Sequence, residues 1–398
     1  MHKTARDKFN ESFSTEKYQQ LVAEVESEFP GNLDFRIAES PVFIDRELKS
    51  KFLMAANDVI SGIKKKDFKD KTEAAIPEEY RFKNESENPH FLAIDFAIAK
   101  AEDGSLEPQL IELQGFASLF GYQNYLAGKY KKFFDVAASH SPYFNKLNAF
   151  SYINKMEKVL KSNSSENTIL LEVYPEKQKT RIDFELTKTY WGIETVCFSK
   201  VFVKAGVLYY KKGEEEIKID AIYNRVIFDE IEQSYPELKV NIDILKNADV
   251  KWITHPHWFY RASKFCMPLL KSKYIPESKY LDKLKAYPED LENHVLKPLF
   301  SFAGTGVNLH PKAEELDKIE DKQNYILQRK VQYEPVVKHP DGTMIKAEIR
   351  LLFAWPVGKK HPELLTNLAR LSQGEMIGVA YNKDFDWVGS SSVFFETA

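Results

Sequence analysis

One predicted hairpin constrains this chain more than any other stretch. Phe91-Leu92-Ala93-Ile94-Asp95-Phe96-Ala97-Ile98 reads as a strand, Asp103-Gly104 as a turn, and Leu110-Ile111-Glu112-Leu113-Gln114 as the returning strand. Asp-Gly is a strong signal for a two-residue hairpin loop, where φ must be positive. With those two residues as the loop, the register sets Asp95 opposite Glu112. Side chains alternate along a strand, so Gln114 shares the face of Glu112, and Ala93 and Ala97 flank Asp95. Facing carboxylates repel unless a cation lies between them. Asp95, Glu112 and Gln114 form an oxygen-only set of the kind Mg²⁺ favours, with small neighbours that leave room for a ligand. The competing reading slips the register and leaves both acids on a wet face. Pro108 cannot donate to the ladder, so some irregularity in the second strand is expected.

The rest of the chain supplies a large α/β framework. At 398 residues, two or three packed domains are expected. Residues 1 to 30 read as helical, Asp34–Ala38 as a strand, and Val42–Lys66 as a helix introduced by Ser40-Pro41. Helices are expected over Tyr122–Ala138 and Tyr143–Leu160, then a polar linker over Ser162–Asn167. Thr168–Val173, Thr180–Trp191 and Ile193–Phe198 follow as strand, helix and strand, with Thr180 a candidate N-cap. That is a βαβ unit of a Rossmann-like layer, without the G-x-G-x-x-G turn of a dinucleotide site. A further strand, Ala221–Ile227, carries Asn224 and Arg225 near its end.

Charge and motif searches narrow the function. Lys+Arg 56 against Asp+Glu 59 gives a net charge of −3, which does not favour nucleic acid as a partner. The first residues are polar, no apolar run is long enough to span a bilayer, and Cys197 and Cys266 fit neither a zinc pattern nor a disulfide framework. A cytoplasmic setting without a membrane is expected. P-loop, zincin, nucleophile-elbow and C-x-x-C motifs are missing. His255 and His257 read as structural.

The second informative stretch is Val295–Val307: a strand ending in Lys297-Pro298, a turn holding Gly304 and Gly306, and a second strand from Val307. Glycine lets backbone N–H groups approach a phosphate closely. The plainer reading is a hairpin with a solvated lysine. A charged helix is expected over Lys312–Lys322, and a strand over Tyr325–Val331. A strand over Met344–Trp355 follows the Asp341-Gly342 turn, with Lys346, Glu348 and Arg350 on an exposed face. Asn367–Asn382 carries Arg370, Gly374, Gly378 and Asn382.

Together these pieces resemble the ATP-grasp superfamily, in its circularly permuted branch related to glutathionylspermidine synthase, over residues 91–398. Ser263-Lys264-Phe265-Cys266-Met267-Pro268-Leu269-Leu270 is similar to that branch's N-K-x-x-x-P-L-L segment. Leu296-Lys297-Pro298 with Ser301–Val307 resembles its second lysine and phosphate loop. Tyr325–Val331 resembles its hinge strand, with Gln328 at the family's glutamine. Asp95 with Glu112-Leu113-Gln114 resembles its Asp and E-x-N pair, with Gln114 in place of Asn. Ala93 stands where the family has arginine.

The resemblance implies an α/β (α+β), circularly permuted ATP-grasp fold with a Rossmann-like pre-ATP-grasp domain. The implied division is 1–160 for N-terminal helices and metal-ligand strands, 161–250 for the Rossmann-like domain, and 251–398 for the nucleotide lobe and last strands. It also implies ATP and Mg²⁺ as cofactors, and a ligase joining a small or peptide-like carboxylate to an amine or thiol through an acylphosphate. Lys264 and Lys297 would hold phosphates, and Ser301, Ala303, Gly304, Thr305, Gly306 and Val307 would close over them. Gln328, Arg329, Lys330 and Val331 would meet the adenine. Asp95, Glu112 and Gln114 would hold metal, and Arg350 and Arg225 are the candidate phosphate-facing arginines. The alternatives are a phosphotransferase of the same fold and a non-catalytic nucleotide-binding or scaffold protein.

Overall fold

The computed structural model describes residues 1–161, 166–301, 304–375, 377 and 385–397. Ala303, expected in the phosphate loop, lies outside them, as do Gly378 and Asn382.

A central antiparallel sheet organises the molecule. Its order is Gly389–Ser391, Glu363–Ser372, Met344–Ala354, Phe91–Lys100, Leu106–Gln114, with Val337–Lys338 added beside Met344. One face is apolar: Leu92, Ile94, Phe96, Ile349 and Leu351 pack under the helix Arg46–Ile63. Phe52 of that helix meets Phe96 edge-on, with ring centroids 5.8 Å apart. Burying each such side chain contributes about 1.5–3 kcal/mol.

The other face changes character along each strand. Phe91, Ala93, Leu352 and Ala354 are apolar and pack toward Phe120 and the parallel sheet. Asp95, Glu348 and Arg350, further along the same faces, are charged. The charged half faces a three-stranded antiparallel sheet of Ser278–Tyr280, Tyr325–Arg329 and His294–Pro298 across a cavity.

The parallel sheet runs Lys251–Ile253, Ala221–Asn224, Thr168–Glu172, Glu194–Cys197, with the helix Arg181–Trp191 between two of its strands. The βαβ reading therefore stands. Thr180 precedes that helix but makes no side-chain cap bond.

Three local expectations change. Val42–Ile44 is a strand, paired in parallel with Val393–Phe395, and the helix starts at Arg46 with Asp45 as its N-cap. Asp34–Ala38 forms only a single bridge, Ile37 to Ser390. After the turn holding Gly304 and Gly306 the described residues form no second strand, only a bridge between Leu296 and Asn308.

The hairpin reaches the expected pairing by another route. Its connection is longer than two residues: Ala101 N–H donates to the Ser105 carbonyl at 2.8 Å, and Lys100 pairs with Leu106. That register would miss Glu112 by one residue. A β-bulge at Ile111 takes up the difference, and Asp95 faces Glu112.

Candidate active site

The charged half of the sheet is a buried row, so Glu348 and Arg350 are not on an exposed face as expected. Asp95 is 1% exposed and Glu348 4%. Arg350, directly across the ladder from Asp95, forks onto it: Nε donates to Oδ1 and Nη2 to Oδ2, both at 2.6 Å. Arg370 pairs with Glu348 on the next strand. Its Nη2 donates to Asp95 Oδ2 at 2.7 Å and also to Glu348 Oε1. Ala97, opposite Glu348, leaves the space that this diagonal reach needs. Tyr333 closes the row by donating to Glu348 Oε2 at 2.6 Å. Paired, charge-assisted contacts of this kind are what make buried carboxylates tolerable.

Glu112 borders the cavity and has looser partners. Gln114 Nε2 donates to its Oε1 at 3.0 Å, Arg350 Nη2 lies 3.6 Å away, and Lys264 Nζ lies 3.8 Å from Oε2. Burial pushes this carboxyl up, but Lys264, Arg370, Arg350 and Lys297 outweigh burial and hold it below the ordinary range. Glu348 goes the other way: burial raises it further than Arg370 lowers it.

Two lysines approach from the opposite wall. Gly115 lets the helix Pro256–Arg261 come close, since a Cβ there would sit 2.4 Å from the Trp258 carbonyl. The chain then enters the turn that carries Lys264, whose Nζ donates to the Ser301 carbonyl at 2.7 Å. Lys297 Nζ donates at 2.9 Å to the Ile111 carbonyl, on the residue that the bulge leaves unpaired. Burial lowers the Lys297 ammonium from 10.5 to about 8. Gly304 and Val307 of the loop also line the cavity, while Thr305 and Gly306 are exposed at its tip. Gly306 has φ +73, and a Cβ there would lie 2.8 Å from Pro298.

Gln328, Arg329, Lys330 and Val331 all line the cavity. The backbone N–H groups of Arg329 and Lys330 are committed to the carbonyls of Glu277 and Asn293, both at 2.8 Å. The side chain of Gln328 is different: it is wholly buried, and neither its oxygen nor its nitrogen has a partner. An unsatisfied buried amide costs about 1–3 kcal/mol, and this one offers a donor and an acceptor together.

These residues fit a polyanionic nucleotide. Among the described residues, six cations line the cavity, Lys264, Lys297, Arg329, Lys330, Lys346 and Arg370, against Glu112, Glu348 and Glu375. Mg²⁺ fits less directly. Asp95 does not line the cavity, because both of its oxygens are taken by Arg350 and Arg370, and Gln114 lies in a smaller cleft beside Ser301. Among the described residues, no three His, Cys, Asp or Glu side chains group as metal ligands. Glu112 alone of these carboxylates would suit a Mg²⁺ that takes its other ligands from phosphate oxygens and water, since both Glu348 oxygens already accept from Arg370 and Tyr333.

A second cavity, of about 420 Å³, adjoins the first. Arg370 and Ile377 line both, and Arg350 lines the second. Arg225 lines neither. Its guanidinium lies over Phe116 and Phe184, donates to the Ala117 carbonyl and stands 3.9 Å from Asp183, tying the parallel sheet to the turn after the hairpin. Arg370, Tyr333 and the site role of Glu348 were missed in the sequence.

No protein-family model matches this chain, and no curated protein matches it either. Solved structures do. The likeness is one of fold. A glutathione synthetase-like effector from Globodera pallida, solved in its apo form, superposes with a TM-score of 0.58 at 9% identity. The match covers 97% of this chain and 98% of the effector chain. The mixed α/β architecture is thus shared with that effector over nearly its whole length. No helix among the described residues is long and apolar enough to cross a membrane.

Proposed function

We propose that this protein is an ATP- and Mg²⁺-dependent ligase that joins a carboxylic acid to an amine or thiol through an acylphosphate, in the cytoplasm. The observation that carries the reading is Arg370, a single guanidinium lining both cavities. A phosphoryl group held by lysines on one side and a carboxylate seated on the other would meet there. The Globodera pallida effector is described as glutathione synthetase-like, which agrees with ligase chemistry on this fold.

In the proposed reaction a carboxylate oxygen attacks the γ-phosphorus, the bond to the β-phosphate oxygen breaks, and ADP leaves. The incoming amine or thiol then bonds to the acyl carbon, releasing phosphate and a proton. Lys264 and Lys297 hold phosphates, Gln328 reads the base edge, and Gly304–Val307 close the open side. Arg370 and Arg350 stabilise charge on the transferring group and the acyl oxygen. Mg²⁺, held by Glu112, would neutralise phosphate charge. The hairpin strands precede the nucleotide-binding strands in the chain, which we read as the circular permutation, with units at 1–160, 161–250 and 251–398.

A non-catalytic nucleotide binder is the second reading, favoured by the full commitment of Asp95 to arginine. ADP release decides between them. The ligase requires an acid and an amine together, and Glu112→Gln lowers the rate at least tenfold while ATP still shifts the melting temperature. Release with an acid alone indicates a phosphotransferase. Binding without release under a broad acid and amine panel rules out catalysis.

A further inference from the structure

The second cavity has a chemistry of its own, and it narrows the acyl substrate. Its walls are largely apolar: Phe35, Leu119, Leu368, Leu371, Ile377 and Val388. Its charged lining is entirely cationic among the described residues. Arg350 and Arg370 stand at the end shared with the first cavity, and Arg36 and Lys179 elsewhere on the wall. Arg370 keeps one buried donor, Nε, without a partner. The volume, about 420 Å³, is that of a small-ligand site.

Leu119 adds an independent sign. Its φ is +63, a left-handed backbone that a leucine rarely adopts. The conformation is held from below, because Asp183 Oδ2 accepts the Leu119 N–H at 3.0 Å and Oδ1 accepts that of Tyr122 at 2.9 Å. Strain that the surroundings enforce, at a residue lining a cavity, is a mark of a built binding wall.

We infer that this cavity takes an acid with an apolar body. Its carboxylate sits at Arg370 and Arg350, and its hydrocarbon part lies along Leu119, Leu368 and Val388. A polyamine is disfavoured, since no carboxylate lines the described walls to receive it, and the charged groups that do line them, Arg36, Lys179, Arg350 and Arg370, are donors only. The inference rests on the ligase reading for its link to catalysis, but the binding it describes does not need ATP.

Calorimetric titration of the full chain with hexanoate, hexylamine and spermidine, without nucleotide, tests it. Hexanoate binds, and the two amines do not. Thr180→Phe fills the cavity from a half-buried position and abolishes hexanoate binding while ATP still raises the melting temperature. Lys179→Glu, at an exposed position, weakens hexanoate about threefold to tenfold, in keeping with a nearby like charge. Equal binding of hexylamine, no hexanoate binding in a protein that ATP still stabilises, or unchanged binding in Thr180→Phe overturns the inference. Hexanoate binding in a protein that ATP fails to stabilise would instead sink the ligase reading and leave the acid site standing.

Discussion

Lys297 gives the cavity a pH signature that can be worked out from its surroundings. The residue is 8% exposed, and burial brings its ammonium pKa from 10.5 to about 8, with Glu112 pulling it back up and Lys264 pushing it further down. The unfolded chain keeps the ordinary value. Between about pH 8 and 10.5 the unfolded state therefore binds more protons, so stability rises with pH through that window. Below pH 8 the penalty for the buried charge is present in full, roughly 3 kcal/mol for a shift of this size. A polyphosphate in the cavity offsets that penalty, so binding raises the pKa and takes up a proton. Affinity for ATP with Mg²⁺ should be nearly level around pH 7 and should fall by up to about tenfold per unit above pH 8. Calorimetry in buffers of different ionisation heat should find little proton uptake near pH 7 and close to one proton near pH 9. Lys297→Met should abolish the uptake and weaken binding. It should also stabilise the free protein at pH 7 by about 1–2 kcal/mol, the relieved penalty less the lost bond to the Ile111 carbonyl. A wild-type affinity that stays flat from pH 7 to 9.5, or a Lys297→Met protein that melts earlier, would refute the reasoning.

Gln328→Met should leave unfolding free energy unchanged or raise it by up to about 1 kcal/mol, because it removes two unsatisfied buried atoms; the same variant should bind ATP roughly tenfold more weakly, and a clear loss of stability in urea would show that the amide has partners in the protein. Arg370→Met leaves Asp95 and Glu348 short of a cation and should cost about 3–5 kcal/mol in urea unfolding. Adding Glu348→Gln should recover part of that cost, and a double variant no more stable than the single one would mean that Arg370 acts mainly through Asp95.

The parts legible in the sequence were local. The Asp103-Gly104 signal, the alternation of Phe91–Ile98 and the βαβ spacing around Thr180–Trp191 each depend on neighbours within a few residues. Asp95 opposite Glu112 came out as expected, although the longer connection and the bulge at Ile111 offset each other in a way no turn rule anticipates. Lys264, Lys297 and Gln328 were singled out by family resemblance, and they line one cavity. Distant pairing was unreadable. Val42–Ile44 looked helical because its partner, Val393–Phe395, lies at the other end of the chain. Arg370 escaped notice because its register against Glu348 is set across the irregular segment after Ala354 and a bulge beyond Leu352. The face of Glu348 and Arg350 looked wet because alternation shows which residues share a side and does not show what covers it.

The bulge at Ile111 also separates two jobs that a regular hairpin would bind together. In an unbroken ladder, lengthening the tip by one residue would turn every later side chain to the wrong face. Here one irregular residue absorbs the mismatch between the exposed tip at Glu102–Gly104 and the carboxylate row, and its released carbonyl is anchored by Lys297 from another sheet. The tip is thus a free end in the engineering sense. A peptide tag or reporter inserted there would be carried by the hairpin while Glu112 kept its place, giving a handle on the site's motions that touches none of its chemistry.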